Sequence, residues 1–136
     1  MKIFESETYH YYNANPKNRV GSDCVARALC TAMNMKWETV IREMTEVGIA
    51  KGYEATDKKT IAEYLKLKEW ERQPQPRRGD GTKYTGAEFC KKLQAEGNTK
   101  PIIANIGGHH MVAIINNKVN DIWNCTSKCI GNFWIK

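Results

Sequence analysis

Apolar residues recur at every third or fourth position in the segment after residue 22, which is the spacing of an α-helix. Ser22 is the expected N-cap, because its hydroxyl can accept a hydrogen bond from an amide of the first turn. Cys24 would then lie in that first turn. The apolar stripe of this helix is formed by Val25, Ala28, Leu29 and Ala32.

Three later segments show the same helical spacing. The first begins at Trp37 and is expected to end between residues 48 and 52, where two glycines occur. The second covers residues 57–67. The third begins at Thr85, which forms a capping box with Glu88. Helices are therefore predicted through the N-terminal two thirds of the chain.

The C-terminal third changes to short apolar runs separated by turn-forming residues, which is the pattern of β-strands. Asn116 and Asn117 predict a tight hairpin turn between two of these runs, since asparagine tolerates a positive φ. Residues 71–84 are rich in proline, glycine and charge, which predicts a surface loop without regular structure. The expected strands are residues 102–106, 110–115, 119–123 and 130–135.

Helices first and antiparallel strands afterwards predict an α+β fold in which a C-terminal antiparallel β-sheet packs on the leading helix. The aromatic run at residues 9–12 is expected to be a strand or an extended lead-in. A length of 136 residues suits a single domain that covers residues 1–136.

The composition is that of an ordinary globular protein, with 41% hydrophobic and 26% charged residues. No apolar stretch approaches the roughly 18 residues that span a bilayer, and the first residues lack the apolar core of a signal peptide. We therefore expect no membrane partner and a cytoplasmic location. Five cysteines, an odd number, then predict free thiols rather than a disulfide framework.

The net charge of +6 raises the question of nucleic-acid binding. The basic residues are scattered, however, without the interleaved aromatic side chains of a base-stacking surface. We interpret them as solvated faces, and nucleic acid is not an expected partner. The basic clusters are Lys58-Lys59, Lys66 with Lys68, Arg77-Arg78 and Lys91-Lys92.

Cys24 and His110 are the strongest candidates for chemistry. A thiol is a nucleophile as the thiolate, and the first turn of a helix lowers its pKa through exposed amides. His110 opens an apolar strand whose rigid backbone can fix its ring, whereas His109 points to the opposite face. A cysteine at a helix start and a histidine far along the chain commonly form a nucleophile and its base.

Two further roles complete such a site. Asp121 follows the predicted hairpin turn and can approach His110 to hold its tautomer, with Asn124 as the alternative third member. A developing oxyanion also needs hydrogen-bond donors. The backbone amide of Cys24 and the side chain of Asn18, which lies six residues earlier, could supply them.

The other cysteines are interpreted as structural. One alternative is a zinc site formed by a histidine and the Cys-x3-Cys pair near the C-terminus, although that spacing lacks a second close pair. We therefore expect neither a metal nor a cofactor. The four residues concerned are Cys30, Cys90, Cys125 and Cys129.

Two neighbours of the candidate site have predicted supporting roles. Arg27 follows Cys24 by three residues and is expected to form a structural ion pair, with recognition of a substrate acid as the alternative. Trp123 is expected to share the strand face of Asp121 and to shield its hydrogen bond from water.

The order of these residues resembles the papain-like cysteine peptidase superfamily. Within it, His110-Met-Val-Ala-Ile and Asp121-Ile-Trp are similar to the histidine strand and the following Asp-Pro-Trp of the bacteriocin-processing C39-like peptidases. The whole chain also resembles small papain-like proteins of bacteriophages and Firmicutes. The stretches that carry this second likeness are Asn15-Pro-Lys-Asn-Arg, Asp23-Cys-Val-Ala-Arg-Ala, Tyr84-Thr-Gly-Ala-Glu-Phe-Cys, Asp121-Ile-Trp-Asn-Cys and Gly131-Asn-Phe-Trp.

The resemblance implies hydrolysis of a peptide or similar amide through an acyl-thioenzyme, in the cytoplasm of a bacterium or of a phage-infected cell. It implies Cys24 as nucleophile, His110 as base and acid, Asp121 as orienter and Asn18 as oxyanion donor. Asn18 stands where the family has glutamine, and Val25 where it has an aromatic residue.

Two alternatives remain at this stage. One is a papain-like binding or inhibitory protein without turnover, and the other is an acyltransferase or deamidase that uses the same triad. Triad identity does not separate these activities, because the choice of acceptor depends on pocket shape and water access. The sequence does not indicate an oligomeric state.

Overall fold

The computed structural model describes residues 5–136. Within them, four helices and a six-stranded mixed sheet confirm the α+β class. The helices are α1 (Cys24–Met33), α2 (Trp37–Lys51), α3 (Lys58–Leu67) and α4 (Gly86–Ala95). The strands are β1 (Tyr9–Tyr11), β2 (Glu71–Gln73), β3 (Ile102–Ile106), β4 (His110–Ile115), β5 (Lys118–Asp121) and β6 (Ile130–Ile135).

The sheet has the strand order β1-β5-β4-β3-β6-β2. Strands β2 to β6 pair antiparallel, whereas β1 pairs parallel with β5. The C-terminal strands β3 to β6 are antiparallel as expected, and the sheet as a whole is mixed because of β1. The N-terminal aromatic run lies at the edge of the sheet and adds a strand there that runs in the same direction as its neighbour β5.

Both faces of the sheet are covered, because side chains on a strand alternate between faces. In β4, Met111 and Ala113 belong to the core shared with α1, α2 and α3. Val112 and Ile114 belong to the core shared with α4. Helix α1 packs mainly on β4, so the helix that begins at Cys24 lies on the sheet as expected.

The start of β4 and the end of β5 lie at the same end of the sheet. The two strands are joined by a hairpin turn in which Asn116 and Asn117 have φ values of 53° and 60°. This turn was predicted from the tolerance of asparagine for positive φ. It brings Asp121 back beside His110, and the capping box of Thr85 and Glu88 on α4 is likewise present.

Three local predictions are wrong. Residues 71–73 form β2, which pairs with β6, although the surrounding segment was predicted to lack regular structure. Strand β5 ends at Asp121, so Trp123 lies outside it. The N-cap of α1 is Asp23 rather than Ser22. No helix in residues 5–136 has the length and apolar character needed to span a membrane.

Candidate active site

Cys24 is the first residue of α1, and that helix begins without a side-chain cap. The first-turn amides of a helix have no partner within the helix, and together they carry a partial positive charge. A thiol placed at this position therefore lies in the field of these amides. The Cys24 residue is partly buried.

Asp23 is the N-cap residue but its carboxylate is used elsewhere. Oδ1 accepts from Nη1 of Arg27 at 3.0 Å, and Oδ2 accepts from Nδ2 of Asn15 at 2.9 Å and from Nε1 of Trp37 at 3.0 Å. These bonds tie the residue before Cys24 to α1, to α2 and to the preceding loop. The backbone at the nucleophile position is thereby held in place.

His110 is the first residue of β4 and lies between Asp121 and the thiol of Cys24. Its Nε2 donates to Oδ2 of Asp121 at 2.5 Å. This bond leaves Nδ1 as the ring nitrogen available to a thiol or to a substrate. The three residues predicted to form the triad are thus brought together.

Both the side chain and the backbone oxygen of Asp121 accept hydrogen bonds. Its Oδ1 accepts from the amide of Ile122 at 2.8 Å and contacts Nη2 of Arg27 at 3.5 Å. Its backbone oxygen accepts from the Tyr9 hydroxyl and from the amide of Tyr12, both at 3.0 Å. The N-terminal strand therefore positions the carboxylate that orients His110, a role that the sequence did not reveal.

The electrostatics favour a thiolate beside an imidazolium. For Cys24, burial raises the pKa, but the hydrogen bond from His110, the amide of Met111 and the charges of His110 and Arg27 lower the pKa to below its ordinary value. For His110, the hydrogen bond to Asp121 is the largest cause of a rise in pKa to about 11. Both groups are then charged in the interval between the lowered thiol pKa and about 11.

Replacing Asp121 by asparagine is expected to lower the pKa of His110. The carboxylate stabilises the protonated ring, so its loss lets the ring release its proton at lower pH. The pH titration of the His110 ring resonances in wild-type and Asp121→Asn protein measures this shift. The His109 resonance serves as the internal control, and an unchanged His110 midpoint would contradict the assigned role of Asp121.

Cys125 lies in this cluster, although it was predicted to be structural. Its Sγ donates to Oδ2 of Asp121 at 3.7 Å, and its thiol also contacts His110. Burial raises the pKa of Cys125, so it stays a thiol and acts as a donor. The chain turns back after β5 to bring Cys125 there, and no periodicity in the sequence signals such a turn.

One group of side chains in residues 5–136 has the spacing of metal ligands. Donor atoms of His110, Asp121 and Cys125 lie within 4.8 Å of one another, and nitrogen, oxygen and sulfur are ligands that zinc accepts. Each donor already has a protein partner, and Arg27 occupies the carboxylate from the other side. The group is therefore better described as a hydrogen-bonded cluster. The alternative zinc site with Cys129 is wrong, because that residue is exposed and lies outside the group.

The other predicted site residues lie further out. Asn18 is exposed, has a φ of 59°, and makes no side-chain hydrogen bond within the described chain, so its role as an oxyanion donor stays a prediction. Asn124 accepts from the amide and hydroxyl of Thr126 and is not a partner of His110. The Trp123 ring lies against His110 in a tilted arrangement, with ring centroids 5.5 Å apart and an interplanar angle of 39°.

Two clefts lie near the start of α1. The first, which we name the His110 cleft, has a volume of about 370 Å³ and is lined by Val25, Lys58, Ile61, Arg72, His110 and Asn132, among others. The second has a volume of about 300 Å³ and includes Ser22 and Asp23. Asp23 and Val25, the neighbours of Cys24 in the sequence, thus line different clefts.

No protein-family model, no curated protein and no solved structure matches this chain.

Proposed function

We propose that this chain is a papain-like cysteine hydrolase, a peptidase that cleaves a peptide or amide bond through an acyl-thioenzyme. The observation that carries the proposal is the position of Cys24. It lies at an uncapped helix start, and it faces a histidine whose other nitrogen is bonded to a buried aspartate. This combination lowers the pKa of the nucleophile and raises that of the acid, as acyl transfer from a nitrogen leaving group requires.

In the first half-reaction the Cys24 thiolate attacks the carbonyl carbon and forms a C–S bond. The imidazolium of His110 gives its Nδ1 proton to the leaving nitrogen as the C–N bond breaks, and an amine departs. In the second half-reaction His110 takes a proton from water, the resulting hydroxide attacks the thioester carbon, and the C–S bond breaks. The thiolate and the imidazolium are then restored, with one water consumed.

The negative charge on the carbonyl oxygen needs hydrogen-bond donors in each half-reaction. The backbone amide of Cys24 can serve, because α1 has no side-chain cap that competes for the amides of its first turn. Asn18 is the proposed second donor, and its side chain would have to turn toward the thiol when substrate binds.

Alkylation of the five thiols tests the proposal. Exposure alone predicts that Cys129 reacts first with iodoacetamide, since it is the exposed thiol and Cys24 is only partly exposed. The lowered pKa of Cys24 predicts the opposite order near pH 6. We expect Cys24 to be labelled first, with a pH midpoint below the ordinary thiol value. Mass spectrometry of peptides from the labelled protein identifies the order.

Cys24→Ala and Cys129→Ala are the matched controls for this experiment. The first should remove the fast phase of labelling, and the second should leave it intact. Labelling of Cys129 before Cys24 at pH 6 would contradict an activated nucleophile.

Incubation with a peptide pool separates the possible activities. New N-termini that depend on Cys24 indicate hydrolysis, and converted glutamines indicate deamidation. Fast labelling of Cys24 without any product indicates a binding protein.

A further inference from the structure

The His110 cleft carries two cationic side chains without ion pairs. Lys58 is the first residue of α3, and Arg72 is the middle residue of the edge strand β2. Both are exposed, and within residues 5–136 neither forms a salt bridge or a side-chain hydrogen bond. Elsewhere, cations such as Lys68 and Arg78 have acidic partners.

No acidic residue in the described part of the chain lines this cleft. Its walls include the apolar side chains of Val25, Ile61 and Met111, which lower the local dielectric and strengthen the interaction of a bound anion with nearby cations. His110 also lines this cleft, but its positive charge is balanced by the carboxylate of Asp121. The cleft therefore has the electrostatic character of a site for a negatively charged group.

A pair of amides at the wall of the cleft also has unused donor capacity. Nδ2 of Asn105 donates to Oδ1 of Asn132 at 2.7 Å, and Nδ2 of Asn132 is buried without a hydrogen-bond partner. An unsatisfied buried N–H is unfavourable, so a ligand oxygen that hydrogen-bonds to it would be bound more tightly.

We infer that the His110 cleft binds an acidic side chain of the substrate, so that the preferred peptides carry Asp or Glu next to the bond that is cleaved. This inference rests on the proposed function, because the cleft is contiguous with His110. The carboxylate would lie between Lys58 and Arg72, while its aliphatic part contacts the apolar wall.

The test compares two synthetic peptide pools that are identical except for Glu or Gln at one position. Glutamine has almost the shape of glutamate without its charge, so a difference reports the charge alone. We expect wild-type protein to hydrolyse the Glu pool about 10-fold faster at low salt, with the ratio falling as ionic strength rises. The protection of Cys24 against iodoacetamide by each pool gives a second readout that does not require turnover.

The variant Lys58→Glu/Arg72→Glu should reverse the preference, so that the Gln pool is favoured in both readouts. Lys66→Glu/Lys91→Glu is the matched control, because it makes the same change in net charge on surfaces outside the cleft. This control should keep the wild-type ratio. Both cleft residues lie at exposed positions, and an acidic residue is favourable at the start of α3, so the variant is expected to fold.

The outcomes separate the inference from the proposed function. Equal hydrolysis of the two pools would overturn the acidic preference and leave the peptidase intact. Selective protection by the Glu pool without hydrolysis would support the cleft assignment and contradict turnover. If a single-stranded oligonucleotide protects Cys24 better than the Glu pool does, the cleft binds a phosphate backbone and the inference is wrong.

Discussion

Replacing His110 by alanine is expected to lower kcat/KM by about 10²- to 10⁴-fold, the range associated with loss of a general acid and base. The same substitution should raise the pH at which Cys24 is alkylated. Burial of the thiol raises its pKa, and His110 is the first of the groups that oppose this effect. Without the ring, the desolvation of Cys24 is no longer compensated. Peptide hydrolysis and the pH dependence of iodoacetamide labelling measure the two effects.

His109→Ala is the matched control for this prediction, since it removes the same type of side chain one position earlier. His109 is exposed and precedes β4, so the alkylation profile of Cys24 should be the same as in the wild type. If both variants shift that profile equally, His110 is not the partner of the thiol. If Cys24 in the His110→Ala protein is alkylated with the same pH dependence as in the wild type, the proposed ion pair between Cys24 and His110 is wrong.

Replacing Arg27 by methionine is expected to destabilise the fold by about 3–5 kcal/mol. The Arg27 side chain is only 6% exposed and contacts the carboxylates of Asp23 and Asp121, which are 18% and 3% exposed. Methionine fills a similar space without the charge, so both acids lose a common counterion, and water can reach the buried Asp121 carboxylate hardly at all. Urea denaturation measures the loss as a lower midpoint.

Lys92→Met provides the control, because Lys92 and Glu96 form an ion pair with the same i,i+4 spacing as Asp23 and Arg27. That pair is exposed, and exposed pairs typically contribute at most about 1 kcal/mol. Comparing the stability losses of the two variants therefore separates the effect of burial from that of the i,i+4 spacing, which both ion pairs share. Arg27→Met should also raise the pKa of Cys24, since the charge of Arg27 lowers it. A loss in Arg27→Met no larger than in Lys92→Met would contradict the assigned role.

The elements with strong local signals could be predicted from the sequence. The helices beginning near Trp37 and Thr85 have regular apolar spacing and clear end signals, and both are present. The asparagine turn is present for an equally local reason, namely the φ values that asparagine tolerates. The candidate triad could also be chosen from the sequence, because the starts of helices and strands constrain the positions of their side chains. Its members are Cys24, His110 and Asp121.

The features that depend on distant pairing could not be predicted. Strand β2 is three residues long, and its pairing with β6 is decided by the sheet rather than by its own composition. The contribution of Tyr9 to Asp121 requires two segments that are 112 residues apart to meet. Cys125 joins the site because an irregular turn follows β5, and irregular turns carry no periodic signal.

The two edge strands of the sheet have a consequence for how this protein behaves at high concentration. Strands β1 and β2 are three residues long, and β2 is followed directly by Pro74, which has no amide hydrogen to donate. Short edge strands offer few backbone groups for pairing with a strand of a neighbouring molecule, and the proline after β2 shortens that edge further. Both features disfavour edge-to-edge aggregation, and replacing Pro74 with a β-branched residue would lengthen the part of β2 that can pair with another molecule.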